Sequence, residues 1–220
     1  MKYLAIRGCR IGEGRPKVIL PIVEQTEEAI LEKAAQFSTW KADCVEWRVD
    51  LFADARDLSA VARCAAKLRV ALKNKLLLIT FRTKVEGGHA ALSHEEYRRY
   101  FHTVLDTDCA DLIDLEFFTA GADLPGLIAD AHTAGAAVVC SSHDFQKTPP
   151  KAELVDRMVR MQQAGADLPK LAVMPRSRTD VLTLLAATAE MADCHPDTPI
   201  ITMSMGALGA VSRLAGEAFG

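Results

Sequence analysis

The residue with the most chemistry to offer is Lys170, set in the apolar, proline-flanked run Leu168-Pro169-Lys170-Leu171-Ala172-Val173-Met174-Pro175. The run reads as a short buried strand, where an ammonium group is out of place. Burial disfavours the charged form, and a neutral amine on a rigid strand is the nucleophile that carbonyl-attacking enzymes use. An ordinary lysine, with a pKa of about 10.4, is neutral in roughly one molecule in a few thousand at pH 7. Bringing that value down by about three pH units costs on the order of 4 kcal/mol. The alternative is a lysine with a buried stem and a head that reaches solvent. Its company decides between the two.

That company is charged and sits at strand ends. In Cys44-Val45-Glu46-Trp47-Arg48-Val49-Asp50, a period of two puts Glu46, Arg48 and Asp50 on one face and Val45, Trp47 and Val49 on the other. The apolar face must meet helices, so the charged face points inward, where charges survive only if paired, hydrogen-bonded or turned to a ligand. Leu78, Thr80 and Arg82 repeat the pattern, followed by a glycine-flexible loop, Thr83 to Gly88, that carries Glu86. Further on, Asp114 shares a face with Glu116, and Ser141 with His143. The last apolar run ends in Met203-Ser204-Met205-Gly206, with Arg213 expected on the next helix. Methionines there can wall a small polar ligand and exclude water. His, Lys, Arg and Glu offered from several strand ends to one mouth read as an active site.

The elements that must hold these groups alternate along the chain. Apolar or β-branched runs at 18–23, 44–49, 76–81, 112–116, 137–142, 168–174 and 200–203 start roughly thirty residues apart, the length of a βα unit. Helical spacing fills the intervals: a run capped by Thr26 and reaching Phe37, then 58–73, 95–105, a helix with Pro125 in its first turn that stops before Gly135, 152–164 closed by Gly165, and 179–191. No linker interrupts the series, so residues 1–220 read as one α/β domain. No GxGxxG or P-loop lysine follows the first strand, and the polar strand ends favour a closed (β/α)8 TIM barrel over an open sheet. Such barrels take about 250 residues. The expectation is therefore a barrel short of most of its eighth βα unit, with Phe219 at the start of an eighth strand and activity in doubt unless a further segment completes it. Tyr3 to Gly14 is expected to form a hairpin closing the barrel floor.

Composition narrows the partners. Half of the residues are hydrophobic, a quarter are charged and the net charge is −3, which disfavours nucleic acid or an anionic membrane as partner. No apolar stretch has the length of a membrane helix or a signal peptide, so a cytoplasmic protein is expected. The six cysteines form no CxxC pair and read as small core residues, and no HExxH motif is present, so neither a metal nor any other cofactor is called for.

Taken together, Glu46-Trp47-Arg48-Val49-Asp50, Thr80-Phe81-Arg82 with Glu86-Gly87-Gly88, Asp114-Leu115-Glu116, Ser142-His143-Asp144-Phe145 with Thr148-Pro149, Pro169 to Pro175, and Met203 to Gly206 through Ser212-Arg213 resemble type I 3-dehydroquinate dehydratase, a shikimate-pathway lyase. The resemblance covers nearly the whole chain. It implies a Schiff base between Lys170 and the ketone of 3-dehydroquinate, with no cofactor. It further implies His143 as general base and then acid, Glu86 as the group orienting it, and Arg213 as the fork for the substrate carboxylate. Glu46, Arg48 and Arg82 would bind ring hydroxyls, with Met203 and Met205 packed on the ring. It also makes a homodimer the assembly to test. Two rivals stay open: a class I aldolase or transaldolase using the same lysine, and a non-catalytic binding remnant that keeps the arginines but needs no reactive amine.

Overall fold

The computed structural model describes residues 2–220. In chain order these form β1 (Leu4–Ile6), β2 (Cys9–Ile11), β3 (Ile19–Ile22), α1 (Glu27–Thr39), β4 (Cys44–Arg48), α2 (Leu58–Leu72), β5 (Leu76–Thr80), α3 (His94–Leu105), β6 (Leu112–Glu116), α4 (Phe117–Ala120), α5 (Leu124–Thr133), β7 (Ala137–Asp144), α6 (Lys151–Gln163), β8 (Leu168–Val173), α7 (Arg178–Cys194), β9 (Ile201–Ser204) and α8 (Gly216–Phe219), with single turns of 3-10 helix between some of them. Contacts divide the chain into two compact units, a β3–β6 unit of residues 17–115 and 119–138, and a β7–β9 unit of residues 2–16, 116–118 and 139–220.

In the β3–β6 unit, β3 pairs with β4, β4 with β5 and β5 with β6, all parallel. Alternation along β4 sends Val45 and Trp47 into the core, against helices whose own buried stripes include Ile30 and Ala34 on α1 and Val61, Cys64 and Leu68 on α2. The same burial, more than any neighbouring charge, pushes the Cys64 thiol up to about 12, so it is an inert apolar filler. Local signals set the helix starts. Thr26 accepts from the Ala29 amide, Asp57 from those of Ser59 and Ala60, and Ser93 forms a reciprocal capping box with Glu96. Gly135, at φ 81°, closes α5 where the sequence places its stop.

In the β7–β9 unit, β7, β8 and β9 are parallel neighbours in that order. β1 and β2 form the expected hairpin, turning through Arg7 and Gly8, both at positive φ. The hairpin lies against the segment entering β9: the Lys2 amide donates to Pro196 O, and a side chain at Gly12 would come within 2.8 Å of Pro199. That is the N-terminal end of the strand, the floor side.

Two expectations need correction. Phe219 does not begin a strand. It ends α8, a single turn held by Phe219 and Gly220 amides donating to Ala215 and Gly216 carbonyls, a conformation that the local Glu-Ala pair favours. And the cysteines are not all core residues. Cys44, Cys64, Cys109 and Cys140 are buried, but Cys194 ends α7 on the surface.

Candidate active site

The charged strand ends of the β3–β6 unit close on one another. β4 stops at Arg48, one residue earlier than the sequence pattern suggests, because Val49–Leu51 turn into 3-10 helix. That turn brings the Asp50 carboxylate back onto its own strand end. Arg48 Nε donates to Asp50 Oδ1 and Nη2 to Oδ2, both at 2.8 Å, and the Arg82 amide donates to Oδ1 at 3.2 Å. Burial is the largest influence on the Arg48 guanidinium and pulls its pKa down, as does nearby Arg82. The bond to Asp50 and the charges of Asp50 and Glu46 outweigh both, so the net shift is upward.

Thr80, fully buried at the end of β5, donates to Glu46 Oε1 at 2.7 Å. Arg82 is itself buried, with Nη2 2.8 Å from Asp114 Oδ1 and Nη1 3.5 Å from Glu86 Oε2. Four carboxylates (Glu46, Asp50, Glu86 and Asp114) thus surround two guanidiniums, and such an excess of acceptors suits a ligand rich in hydroxyl donors.

The glycines after Arg82 do something other than loosen the loop. A side chain at Gly88 would lie 1.8 Å from the Arg82 carbonyl oxygen, and the Gly88 amide donates to Thr83 O at 2.8 Å. Gly87 takes φ 86° to end the 3-10 turn Lys84–Glu86. The segment is stitched down with Glu86 buried, so the flexible loop expected from the glycine pair is in fact a close approach of backbone to backbone.

The β7–β9 unit carries the amine. Ser141 is registered with Lys170 and Lys170 with Ile201, while His143 is registered with Ala172 and Ala172 with Met203. Parallel partners share a face and alternate residues return to it, so Lys170, His143 and Met203 look the same way. His143 is thus the diagonal neighbour of Lys170 across one strand interval, within reach of a long side chain. Lys170 is 8% exposed, which excludes a head extended into solvent. His143 is half-buried, its ring stacked on Phe145 with centroids 6.4 Å apart.

Met205 continues the ladder past β9 by donating its amide to Val173 O at 2.8 Å, and both Met203 and Met205 are half-buried. Arg213 falls on a 3-10 turn, Ala210–Arg213, instead of the α-helix expected, and is exposed. The turn is pinned to the strand end: the Ser204 amide donates to Ser212 Oγ, which donates on to Gly209 O. A side chain at Gly209 would meet Ser204 O at 2.2 Å, so only glycine lets the turn approach the strand end this closely.

Of the residues singled out in the sequence, Arg48 and His143 sit at the C-terminal ends of β4 and β7, Arg82, Glu86, Met205 and Arg213 lie beyond the ends of β5 and β9, and Glu46, Lys170 and Met203 lie within β4, β8 and β9. Glu46, Arg48, Arg82 and Glu86 meet in one network, and Lys170, His143 and Met203 on one face. The sequence reading assigned no role to Asp50, Asp114, Thr80 or Ser212, although alternation places the first three on the right faces. Among the described residues, no three His, Cys, Asp or Glu side chains gather as a metal site would require.

An amine and an imidazole on one face of adjacent parallel strands, in a chain that alternates strand and helix, define an α/β enzyme of the barrel class. The comparisons make this specific. A family model described as Type I 3-dehydroquinase matches residues 18–220. The 3-dehydroquinate dehydratase of Bacillus subtilis is 46% identical over 220 residues, covering all of this chain and 86% of that protein. The crystal structure of the type I enzyme from Clostridium difficile superimposes with a TM-score of 0.97 at 42% identity, over 100% of this chain and 87% of that one. The Enterococcus faecalis 3-dehydroquinate dehydratase gives 0.96 at 44% identity, over 99% and 90%. The chain belongs to the type I 3-dehydroquinase family, and its fold is the α/β barrel fold of those structures.

Proposed function

We propose that the chain catalyses loss of water from 3-dehydroquinate to give 3-dehydroshikimate, through an imine on Lys170. The observation that carries this reading is the buried Lys170 of β8 with His143 diagonal to it on the same face of β7. The Lys170 amine adds to the C3 ketone and one water leaves as the C=N bond forms. The protonated imine draws electrons from C2, so the C2–H bond becomes acidic. His143 takes that proton, a task for which imidazole titrates in the right range. The electron pair returns as the C1–O bond breaks, His143 gives the proton to the departing hydroxide, and a second water hydrolyses the imine to release product and amine.

The remaining roles follow the family resemblance. Glu86 serves as the acid that orients His143. Arg213, at the exposed turn after β9, takes the substrate carboxylate with its planar donors. Glu46, Arg48 and Arg82 bind the ring hydroxyls, and Met203 and Met205 pack on the ring. A cytoplasmic location is proposed from the sequence reading, and a homodimer from the resemblance. Among the described residues, no helix is long and apolar enough to cross a membrane.

The test is intact mass measurement after incubation with 3-dehydroquinate and borohydride, followed by peptide mapping. A reduced adduct on Lys170 that disappears in Lys170→Ala is expected. His143→Ala should still form the adduct while turnover falls by about 10²- to 10⁴-fold, the usual weight of a general acid-base group. An adduct on another amine, or none in folded protein, would remove the imine step.

A further inference from the structure

We propose that Asp50 is a positioning residue for substrate recognition: it fixes Arg48 in one pose at the end of β4, ties that pose to the backbone of Arg82, and so sets where Arg48 meets a hydroxyl of the substrate. The inference deepens the functional reading above and rests on it.

The hydrogen bonds of Asp50 go to the two substrate-binding arginines. Oδ1 receives Arg48 Nε and the Arg82 amide, and Oδ2 receives Arg48 Nη2. The carboxylate is sealed from solvent, whereas the guanidinium it grips is not: the Arg48 side chain keeps 23% of its exposure. The two-point pairing uses the Nε/Nη2 edge and leaves Nη1, which makes no hydrogen bond to the described residues, as the end turned to a ligand. An ion pair made only for stability would have no need to keep a donor in reserve at a strand end, the place where barrel sites form.

Two further facts point the same way. Arg48 lies close enough to Arg82 for the two cations to oppose each other, and the Asp50 carboxylate, bonded to the Arg48 guanidinium and to the Arg82 backbone amide, anchors the first of them against that repulsion. And Glu46 shares the face of Arg48, two residues back along β4, with Thr80 donating to Oε1. A guanidinium donor beside a carboxylate acceptor suits a hydroxyl, which donates one hydrogen bond and accepts others. That recognition requires the guanidinium to stay in one plane, and a free arginine side chain does not hold one.

Asp50→Asn preserves shape but replaces one acceptor by an amide that faces an N–H. With steady-state kinetics on 3-dehydroquinate, KM is expected to rise by about 10- to 100-fold, each tenfold being about 1.4 kcal/mol. The value of kcat should move less than about threefold, the pattern of lost uniform binding. The decisive comparison is a double-mutant cycle with Arg48→Ala. If Asp50 acts through Arg48, Asp50→Asn adds less than about twofold to KM in that background. An equal penalty in both backgrounds, or a collapse of kcat with KM unmoved, would overturn the inference.

Should Asp50→Asn fail to fold, Arg48→Lys with Asp50 intact supplies the test, because an ammonium keeps the charge but cannot make the two-point pair. KM is then expected to rise by the same order, and an unchanged KM overturns the proposal. Wild-type protein without turnover of 3-dehydroquinate would overturn the functional reading and this inference with it. Wild-type turnover with additive penalties would overturn the inference alone.

Discussion

Replacing Asp114 by Ala tests whether the buried charges of the β3–β6 unit are a functional burden that the fold tolerates by pairing. Arg82 and Asp114 meet at 2.8 Å with 5% and 0% of their side chains exposed, so neither can fall back on water. Removing one partner of such a pair costs about 3–5 kcal/mol, because the other charge is left buried and uncompensated. Arg82 keeps Glu86 at 3.5 Å, which sets the expected loss near the lower bound, about 3 kcal/mol. For a domain of about this size each kcal/mol moves the melting temperature by roughly 2–4 °C, so Asp114→Ala should melt about 6–12 °C below wild type.

Scanning calorimetry gives the number, and a second variant separates stability from function. In Arg82→Met combined with Asp114→Leu both charges go at once, and exchanges of this kind are often neutral or stabilising. The double variant should therefore recover part of the lost melting temperature, short of all of it because Glu86 loses its contact to Arg82, while turnover stays low, since the proposed hydroxyl ligand Arg82 is gone. An Asp114→Ala protein melting within about 2 °C of wild type, less than the shift for 1 kcal/mol, would refute the account of the pair. A double variant that regains turnover would refute the role of Arg82.

Gly88→Ala places a methyl carbon 1.8 Å from the Arg82 carbonyl oxygen and 3.0 Å from that of Thr83, both backbone atoms that cannot rotate away. Overpacking of this kind costs about 1–3 kcal/mol, and because the displaced segment carries Glu86, kcat/KM should fall together with the melting temperature. Normal values of both would show that the loop has room the structure does not reveal. At the start of α7, Asp180 accepts from the Arg176 amide and, with Ser177, closes a capping box, and these bonds hold its carboxyl below the ordinary aspartate range. A depressed folded pKa contributes stability above the unfolded value of about 3.9 and loses it as pH falls through the folded one. The melting-temperature gap between wild type and Asp180→Asn should therefore be constant from neutral pH down to about 5 and narrow as pH falls below about 4. A gap that does not change with pH would show that the charge is irrelevant to the cap.

Most elements were legible because their signals are local. The buried stripe of α2, the cap at Thr26 and the stop at Gly135 each depend on a few neighbouring residues, and each element formed where its pattern indicated. Lys170 was legible for a different reason. A lysine in an apolar strand is an anomaly that calls for an explanation, and the charged residues recurring at neighbouring strand ends supplied it. The acids around Arg48 and Arg82 offered no such anomaly. An aspartate at a strand end is ordinary, and whether Arg82 chooses Asp114, Glu86 or Asp50 depends on distances set by three strands and a 3-10 turn, none of which is local.

The turn at Val49–Leu51 shows why the gap matters for function. Read as strand, Asp50 points into the interior as a third parallel charge beside Glu46 and Arg48. Folded as 3-10 helix, it doubles back and becomes the partner of Arg48. A one-residue difference in where a strand ends thus changes a carboxylate with no assigned role into the two-point partner of Arg48. The side chains proposed to face substrate were picked out by type, alternation and resemblance, whereas the carboxylate that pairs with Arg48 became visible only when the backbone path was known.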